Sequence, residues 1–325
     1  MKTKIVYVLV SSPDDIYLEQ ARISIASLRF HQKDATIVLM VDSKTKESFK
    51  GNRVLIESDV DEIIVVDVPN HLTPQQRSRM IKTSVRQYVL GDFLFIDCDT
   101  IILQPLDEID SWEFEIGAVY DSHTLFQRNP YRHMNKYHCH LLGKDMEKED
   151  IYFNSGVLYI KDTPQMHDFY KEWNNQWLNG LTRGVNMDQP SFAITNILFH
   201  YIVTQIPDVW NCQIVHGIKF MSTAKILHYL CTNSDSSGDI FILRGRHIFE
   251  EMKQTGKIPQ TILDCFTNPF YGMPDLTHLH GGEIIDIFWT SSWFFLKKLF
   301  GTKYFRYFNR IYTELLKRRL FIGKD

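Results

Sequence analysis

The stretch that decides the fold of this chain runs from residue 93 to residue 103 and reads FLFIDCDTIIL. Its first four residues are apolar and predict a strand buried on both faces. Asp97 and Asp99 follow, so the strand ends in charge at the carboxyl edge of a sheet, where open α/β sheets bind ligands. Residues two apart in an extended chain point the same way, so both carboxylates can face one hard cation. On these residues alone, an Asp-rich turn that only ends a strand stays open as the alternative.

Strand-like and helix-like segments alternate along the first half of the chain. Strands are predicted at residues 5–10, 36–41, 62–68, 93–96, 115–121 and 151–160. Helices are predicted from a start at 13–15 to about residue 31, at 74–90 behind a Thr73 cap, and briefly at 104–106. This order predicts an α/β fold with a mostly parallel, doubly wound sheet. Residues 123–150 are predicted to be a long irregular excursion, which in a compact domain is usually functional.

The composition fits a large globular domain with an appendage. The chain has 325 residues, of which 44% are hydrophobic and 23% charged, and its formal net charge is −3. We predict a main domain at residues 1–240, an extension at 241–283 and a tail at 284–325. The five cysteines show no C-x-x-C spacing, which predicts free thiols in a reducing compartment. No glycine precedes Gly51, which excludes a dinucleotide-binding turn or a P-loop after the first strand.

The tail is basic and aromatic. Residues 291–325 carry nine Lys and Arg against Glu314 and Asp325, so this segment has a charge of +7 and the rest of the chain −10. Aromatic residues interleave with the basic ones, as in amphipathic helices that lie on an anionic membrane surface. We find no signal peptide and no run long enough to span a bilayer. We therefore predict a cytoplasmic protein, peripheral on the inner face of the cell membrane, without a nucleic-acid partner; a core-packing helix is the alternative.

Six short motifs, in order along residues 1–235, resemble those of glycosyltransferase family 8. They are Asp14, Asp15 and Tyr17 after the first strand; Ser78-Arg79-Met80; Phe95-Ile96-Asp97-Cys98-Asp99; Tyr152-Phe153-Asn154-Ser155-Gly156-Val157; Asn186-Met187-Asp188-Gln189-Pro190; and Lys225-Ile226-Leu227-His228-Tyr229. The family includes glycogenin and bacterial lipopolysaccharide galactosyl- and glucosyltransferases. The resemblance implies a GT-A fold for the main domain, a nucleotide-sugar donor, Mn²⁺ with Mg²⁺ as the alternative, and transfer with retention at the anomeric carbon.

The resemblance also implies a metal site. Asp97 and Asp99 would be two ligands and His228 the third, with His216 kept open as a second candidate. An imidazole beside two carboxylates favours Mn²⁺ over Mg²⁺ or Ca²⁺. The glycine and Lys-Pro-Trp expected after His228 are absent, and the chain reads YLCTN at residues 229–233 instead. Lys219 and Lys225 are the candidates to replace the family's lysine contact with the diphosphate.

The remaining roles concern the sugar and the nucleotide. Substrate contacts are expected from Arg79, with Lys82 as its runner-up, and from Asn154, Ser155, Asp14, Asp15 and Tyr17. The catalytic pair would be Asp188 and Gln189, in a loop closed by Pro190, where they would hold the sugar hydroxyls and approach the anomeric carbon. Because a glutamine amide is a poor nucleophile, a front-face route is favoured over a covalent glycosyl-enzyme.

A second cluster, Tyr137-His138-Cys139-His140, suggests zinc, but an ordinary loop is the better interpretation because no second ligand pair accompanies it. The function expected from the whole sequence is a metal-dependent retaining hexosyltransferase. Its donor would be a UDP-sugar and its acceptor a glycan or a lipid-linked glycan, in bacterial surface polysaccharide or lipopolysaccharide synthesis. The alternative is a catalytically degenerate protein that binds nucleotide sugars or glycans.

Overall fold

The computed structural model describes residues 1–232 and 241–273, together with the single residues Tyr304, Tyr307 and Arg310. The chain divides into two units, of which the first comprises Met1–Asn129 and Asn135–Thr277 and the second Pro130–Met134 and His278–Asp325. The candidate site lies in the first unit. Apart from the three single residues, the predicted tail at 284–325 lies outside the described residues. The domain boundaries at 240 and 283 stay predictions.

The described chain contains ten strands and nine α-helices. The strands are β1 (Lys4–Leu9), β2 (Ile37–Asp42), β3 (Glu62–Val66), β4 (Phe93–Ile96), β5 (Thr100–Ile102), β6 (Ile116–Tyr120), β7 (Phe153–Ile160), β8 (Thr204–Gln205), β9 (Cys212–Gln213) and β10 (Ile226–His228). The helices are α1 (Tyr17–His31), α2 (Ser43–Glu47), α3 (Ile56–Asp59), α4 (Pro74–Ser84), α5 (Arg132–Leu141), α6 (Pro164–Thr182), α7 (Asp188–Leu198), α8 (Arg246–Thr255) and α9 (Gln260–Cys265).

The central sheet confirms the predicted α/β architecture. Its seven strands have the order β3-β2-β1-β4-β7-β6-β8. β1 is parallel to β2 and β4, β2 to β3, and β6 to β8, whereas β7 is antiparallel to both β4 and β6. The sheet is therefore mostly parallel, with an antiparallel insertion next to the strand that carries the Asp pair. A second sheet of three strands, in the order β5-β10-β9, was not predicted.

Both faces of the central sheet are covered. Along β1, Ile5, Tyr7 and Leu9 pack into a core with α1 on one face, and Val6 and Val8 pack into a core with α4 and α6 on the other. This alternation follows from the two-residue period of a strand. It explains why the central strands read as continuous apolar runs. None of the described helices is long and apolar enough to cross a membrane.

Helix boundaries depart from the sequence predictions in several places. Thr73 caps α4 as predicted, in a capping box with Gln76, but α4 ends at Ser84 and continues only as a 3-10 turn at Val85–Gln87. α1 starts at Tyr17 without a side-chain cap, so residues 13–15 form a turn before it. The short helix predicted at 104–106 is instead a 3-10 helix at Asp107–Ser111.

The excursion at 123–150 was predicted to be irregular, and it contains α5. The buried stripe of this helix consists of Asn135 and Cys139, one turn apart. A polar residue and a cysteine carry the stripe, so apolar periodicity does not reveal the helix. None of the five cysteines, all of which lie in the described part of the chain, forms a disulfide with another, as predicted.

The two sheets meet at the Asp pair. β4 ends at Ile96 in the central sheet, and β5 begins at Thr100 in the second sheet. Asp97 and Asp99 lie in the connection. Beside them, β7 runs antiparallel to β4, and β10 pairs with β5 so that His228 lies opposite Thr100. The fold therefore brings three distant segments of the chain to the carboxyl end of β4.

Candidate active site

Two carboxylates and an imidazole converge at the carboxyl end of β4. One ligand-type atom from each of Asp97, Asp99 and His228 lies within 4.8 Å of the other two. His228 Nε2 lies 3.1 Å from Asp99 Oδ1, and the Cys231 backbone N–H donates to Asp99 Oδ2 at 3.0 Å. Two hard oxygen ligands and one nitrogen ligand form a donor set suited to a divalent transition metal. The structure places His228 in this cluster, whereas His216 is not part of it.

Gly156 on β7 makes room for the cluster. A β-carbon built at this position would lie 2.4 Å from His228 Cε1 and 2.9 Å from both Asp97 Oδ2 and Asn154 Oδ1. The Gly156 carbonyl also accepts a hydrogen bond from the Asp97 N–H at 2.8 Å. A glycine is therefore needed here because the side chains of His228 and Asp97 occupy the space that a larger residue would fill.

A second group of charged side chains surrounds Asp188. Lys82 Nζ lies 3.1 Å from Asp188 Oδ2, and Ser155 Oγ donates to the same oxygen at 2.8 Å. Arg79 Nε lies 2.8 Å from Asp188 Oδ1, so the two side chains form an ion pair. The Arg79 Nε–H makes no hydrogen bond to that oxygen. Asp188 is 4% exposed. Both of its oxygens are thus occupied by cationic or hydroxyl partners.

Lys82 joins the two groups. Its Nζ lies 3.2 Å from Asp97 Oδ1 and 3.4 Å from Asp97 Oδ2, in addition to its contact with Asp188. It is 2% exposed, and its ammonium lies 4.8 Å from the centre of the Phe95 ring. A buried ammonium between two carboxylates fixes their separation. Lys82 therefore sets the position of Asp97 relative to Asp188.

The electrostatics of the cluster favour an added cation. Burial raises the pKa of Asp97, and the neighbouring Lys82 offsets this only in part. Burial alone would raise the pKa of Asp99 too, but His228 and two hydrogen bonds outweigh it and the pKa is lowered. The pKa of His228 is raised, because Asp99 outweighs the effect of burial. A divalent cation would stabilise both ionised carboxylates in this buried setting.

Asp188 remains ionised at all ordinary pH values. Burial acts to raise its pKa, but Lys82, Arg79 and the Ser155 hydroxyl lower it far below the usual range.

The predicted loop around Asp188 and Gln189 is wrong, because these two residues begin α7. Pro190 is tolerated there since the first turn of a helix has unpaired N–H groups. The Gln189 Oε1 atom accepts a long hydrogen bond, 3.4 Å, from the Ser155 N–H.

The predicted nucleotide-contact residues after β1 have different surroundings. Asp15 accepts hydrogen bonds from the Ser12 N–H at 2.6 Å and the Tyr17 N–H at 3.1 Å, so it organises the turn before α1. Asp14 is exposed, and Tyr17 is half-buried. Burial acts to lower the pKa of Arg79, but Asp188 and, less strongly, Asp97, Asp99 and Tyr17 raise it.

The two lysines predicted to replace the family's diphosphate contact lie elsewhere. Lys225 Nζ is 3.1 Å from Glu108 Oε2 and 5.2 Å from the centre of the Trp210 ring. Lys219 is exposed beside the Phe220 ring. Neither has a contact with Asp97, Asp99 or His228 among those described. A role of either lysine in donor binding stays a prediction.

The suggested zinc cluster does not form within the described part of the chain. Residues 137–140 lie on α5, where consecutive side chains point in different directions. Cys139 is fully buried, and burial raises the pKa of its thiol to about 12. A thiol with this pKa is a poor metal ligand at neutral pH. The ordinary loop preferred for this segment is wrong, because residues 137–140 lie on a helix. The absence of zinc from this segment stays a prediction.

Sequence reasoning missed the residues behind His228. His228 Nδ1 lies 2.9 Å from Asn211 Oδ1, and Asn211 Nδ2 donates to Asn154 Oδ1 at 2.9 Å. Asn154 Nδ2 in turn donates to Asp121 Oδ1 at 3.1 Å. Asn211 is fully buried, and it ends the 3-10 helix Asp208–Asn211. No motif surrounds it, so only the three-dimensional structure identifies it.

This fold and this site define a glycosyltransferase of the GT-A type. A central, mostly parallel sheet presents the Asp pair at its carboxyl edge, and an imidazole from a second sheet completes an acidic cluster. The chain belongs to glycosyl transferase family 8, whose family model matches residues 8–234. The matched segment includes every residue of the cluster described above and every predicted substrate contact.

Three solved structures of glycosyltransferases align with the chain. GlyE from Streptococcus pneumoniae TIGR4 has a TM-score of 0.51 and 17% identity over 86% of this chain and 66% of its own. The bifunctional WbbM has a TM-score of 0.50 and 16% identity over 83% of this chain and 50% of its own. The galactosyltransferase LgtC, solved with donor and acceptor sugar analogues, has a TM-score of 0.49 and 16% identity over 79% of this chain and 98% of its own. No curated protein matches the sequence significantly.

Proposed function

We propose that this protein is a metal-dependent, retaining hexosyltransferase. Its donor would be a UDP-sugar and its acceptor a glycan or lipid-linked glycan, in the synthesis of bacterial surface polysaccharide or lipopolysaccharide. The observation that carries the proposal is the position of Lys82 between Asp97 and Asp188. Lys82 joins Asp97, a proposed metal ligand, to Asp188, the carboxylate at the start of α7. A glycosyltransferase has to hold the diphosphate and the sugar of its donor side by side, and this contact would keep the two binding groups together. Membership of family 8 supports the nucleotide-sugar donor.

The metal proposal rests on the donor set. Asp97, Asp99 and His228 would hold the ion, because one ligand-type atom from each lies within 4.8 Å of the other two, close enough to bind a single cation. The imidazole favours Mn²⁺, with Mg²⁺ as the alternative. When bound, the ion would act as a Lewis acid that stabilises the charge of the departing diphosphate.

The surroundings of Asp188 support a front-face route over a covalent intermediate. A nucleophilic carboxylate needs an accessible lone pair of adequate basicity. Asp188 has neither, because Arg79, Lys82 and Ser155 occupy its oxygens and lower its pKa. Gln189 has a neutral amide, a weaker nucleophile still. We propose that these two side chains hold the sugar hydroxyls and shield the anomeric carbon while the acceptor enters from the side of the leaving group.

Donor turnover tests the proposed function. With Mn²⁺ and a panel of UDP-sugars, we expect release of UDP from one donor, and we expect chelation of the metal to abolish it. Adding candidate acceptors should convert slow hydrolysis into transfer, and the anomeric configuration of the product, read by NMR, should match that of the donor. Donor binding without hydrolysis or transfer under any of these conditions would contradict the proposal and favour a degenerate binding protein.

We also propose that the basic tail brings the enzyme to an anionic membrane surface on the cytoplasmic side. The support is the charge of +7 over residues 291–325 and its interleaved aromatic residues. Polybasic attraction is worth about 1 kcal/mol per Lys or Arg near such a surface. Full-length protein should therefore sediment with anionic vesicles but not with neutral ones, and high salt should release it. A variant with Lys297, Lys298, Arg318 and Arg319 changed to Gln is expected to stay in solution; equal sedimentation of both proteins would refute a charge-driven contact.

A further inference from the structure

A chain of buried amides connects His228 to a carboxylate on the far side of β7. The links are His228 Nδ1 to Asn211 Oδ1 at 2.9 Å, Asn211 Nδ2 to Asn154 Oδ1 at 2.9 Å, and Asn154 Nδ2 to Asp121 Oδ1 at 3.1 Å. The four side chains are between 0% and 7% exposed. Solvent therefore offers little competition for these hydrogen bonds.

The orientation of Asn154 is fixed by two groups that cannot exchange roles. The Gly156 backbone N–H can only donate, and it donates to Asn154 Oδ1 at 2.9 Å. Asp121 Oδ1 faces the other end of the amide, and as a carboxylate oxygen it accepts the Asn154 amide N–H at 3.1 Å. A flipped Asn154 would face the N–H with its own amide hydrogens and the carboxylate with its oxygen. Both contacts would become repulsive.

The orientation of Asn211 follows from that of Asn154. Since the Asn154 oxygen accepts, the group of Asn211 that faces it must be the NH₂. The Asn211 oxygen then faces His228 Nδ1, and that nitrogen must carry a hydrogen in order to donate. The direction of every hydrogen bond in the chain is thus set from Asp121 and Gly156, at the end opposite to the imidazole.

We infer that Asn211 is a positioning residue that holds His228 with a hydrogen on Nδ1, so that Nε2 is the nitrogen presented to a cation beside Asp97 and Asp99. This inference rests on the metal site of the proposed function. A histidine without a partner on its second nitrogen can present either nitrogen and rotate about its side-chain bonds. Fixing the tautomer and the ring orientation typically contributes 10- to 100-fold to metal affinity, or about 1.4–2.7 kcal/mol.

The segment that carries Asn211 is itself clamped. Gln213 accepts from the Ser122 N–H at 2.9 Å and donates to the Tyr120 carbonyl at 3.0 Å. The Gln213 N–H donates to His123 Nε2 at 2.9 Å, and His123 Nδ1 lies 2.7 Å from Asp208 Oδ1. These contacts flank Asn211 on both sides. They hold it at a fixed distance from His228.

Three variants of the full-length protein separate positioning from general stability. Asn211→Leu removes both amide functions at nearly constant volume. Asn211→Asp keeps an acceptor for His228 Nδ1–H but loses the donor to Asn154. Asn196→Leu is the matched control, because Asn196 is also a buried asparagine, 3% exposed, and lies on α7 away from the cluster. Its Oδ1 accepts a hydrogen bond from the Val203 N–H at 3.0 Å. Mn²⁺ dissociation constants are measured by electron paramagnetic resonance of the free ion, and melting temperatures by calorimetry.

We expect Asn211→Leu to weaken Mn²⁺ binding by about 10- to 100-fold. Asn211→Asp should bind Mn²⁺ within about threefold of the wild type or tighter, although it should melt at a lower temperature because two oxygens then face each other. Asn196→Leu should lower the melting temperature with unchanged Mn²⁺ affinity. A purely structural role would instead make affinity follow stability across the three variants, and that result would overturn the inference.

A second measurement identifies directly which nitrogen of His228 binds the metal, and it needs no variant. With diamagnetic Zn²⁺ bound to ¹⁵N-histidine-labelled wild type, the His228 signals should show the metal on Nε2 and the hydrogen on Nδ1; metal on Nδ1 would overturn the inference. Failure of the wild type to bind Mn²⁺ or Zn²⁺ would overturn the metal site and this inference together. If metal binds as described but no UDP-sugar is turned over, the proposed function fails alone.

Discussion

Replacing Asp99 with alanine is expected to abolish Mn²⁺-dependent turnover of the donor and to weaken Mn²⁺ binding by more than about 100-fold. This loss exceeds the roughly 10- to 100-fold effect of removing a residue that only hydrogen-bonds to a metal ligand. The variant loses one carboxylate ligand, and it also releases the imidazole that lies 3.1 Å from Asp99 Oδ1. The remaining carboxylate, Asp97, is already engaged by Lys82. Electron paramagnetic resonance of free Mn²⁺ and the release of UDP measure the two effects.

Thermal unfolding shows whether the loss is local. A ligand at 100 times its dissociation constant stabilises the folded state by about 2.7 kcal/mol, so Mn²⁺ should raise the melting temperature of the wild type but not of Asp99→Ala. Asp107→Ala is the matched control, since Asp107 is an exposed carboxylate on the 3-10 helix that follows β5. The control should keep both affinity and turnover. A normal response of Asp99→Ala to Mn²⁺ would refute the site.

The part of the site next to β4 could be predicted from sequence because it is local. Four apolar residues followed by Asp97 and Asp99 predict both the strand and the point at which it ends in two carboxylates. The structure confirms that β4 ends at Ile96, directly before Asp97. His228 was the preferred third ligand only through the family resemblance, with His216 left open. The pairing of β10 with β5 places His228 opposite Thr100, one residue from Asp99, and no pattern within residues 226–228 encodes that pairing.

The rest of the site depends on contacts between distant segments. Lys82 was a runner-up to Arg79 in the prediction, yet its buried ammonium joins Asp97 to Asp188. An amphipathic pattern marks Lys82 as a helix residue but cannot say that it lies over the end of β4. Asn211 carries no signal at all, because a buried asparagine in a 3-10 helix looks like any turn residue. Sequence therefore identifies the candidate ligands more readily than the residues that would orient them.

Gly156 illustrates the same limit and gives the second large effect. The sequence shows a glycine within a motif, and only the structure shows which side chains fill the space beside it: His228 Cε1 would lie 2.4 Å from an added β-carbon. Neither neighbour can retreat, because Asn211 holds the imidazole and Lys82 holds Asp97. We expect Gly156→Ala to cost about 1–3 kcal/mol of stability through overpacking and to weaken Mn²⁺ binding by at least about 10-fold through the displaced ligands.

Gly117→Ala separates these two consequences. Gly117 is also a strand glycine, and a β-carbon there would lie 2.6 Å from Phe114 Cε2 and 2.7 Å from Ile206 Cγ2, in the core and away from the ligands. Both variants should therefore unfold at lower denaturant concentration, but only Gly156→Ala should lose Mn²⁺ affinity and turnover. If Gly156→Ala instead binds Mn²⁺ like the wild type, the imidazole and the carboxylate can move apart without loss of binding. The close packing of Asp97 and His228 around residue 156 would then not be what sets the affinity of the site.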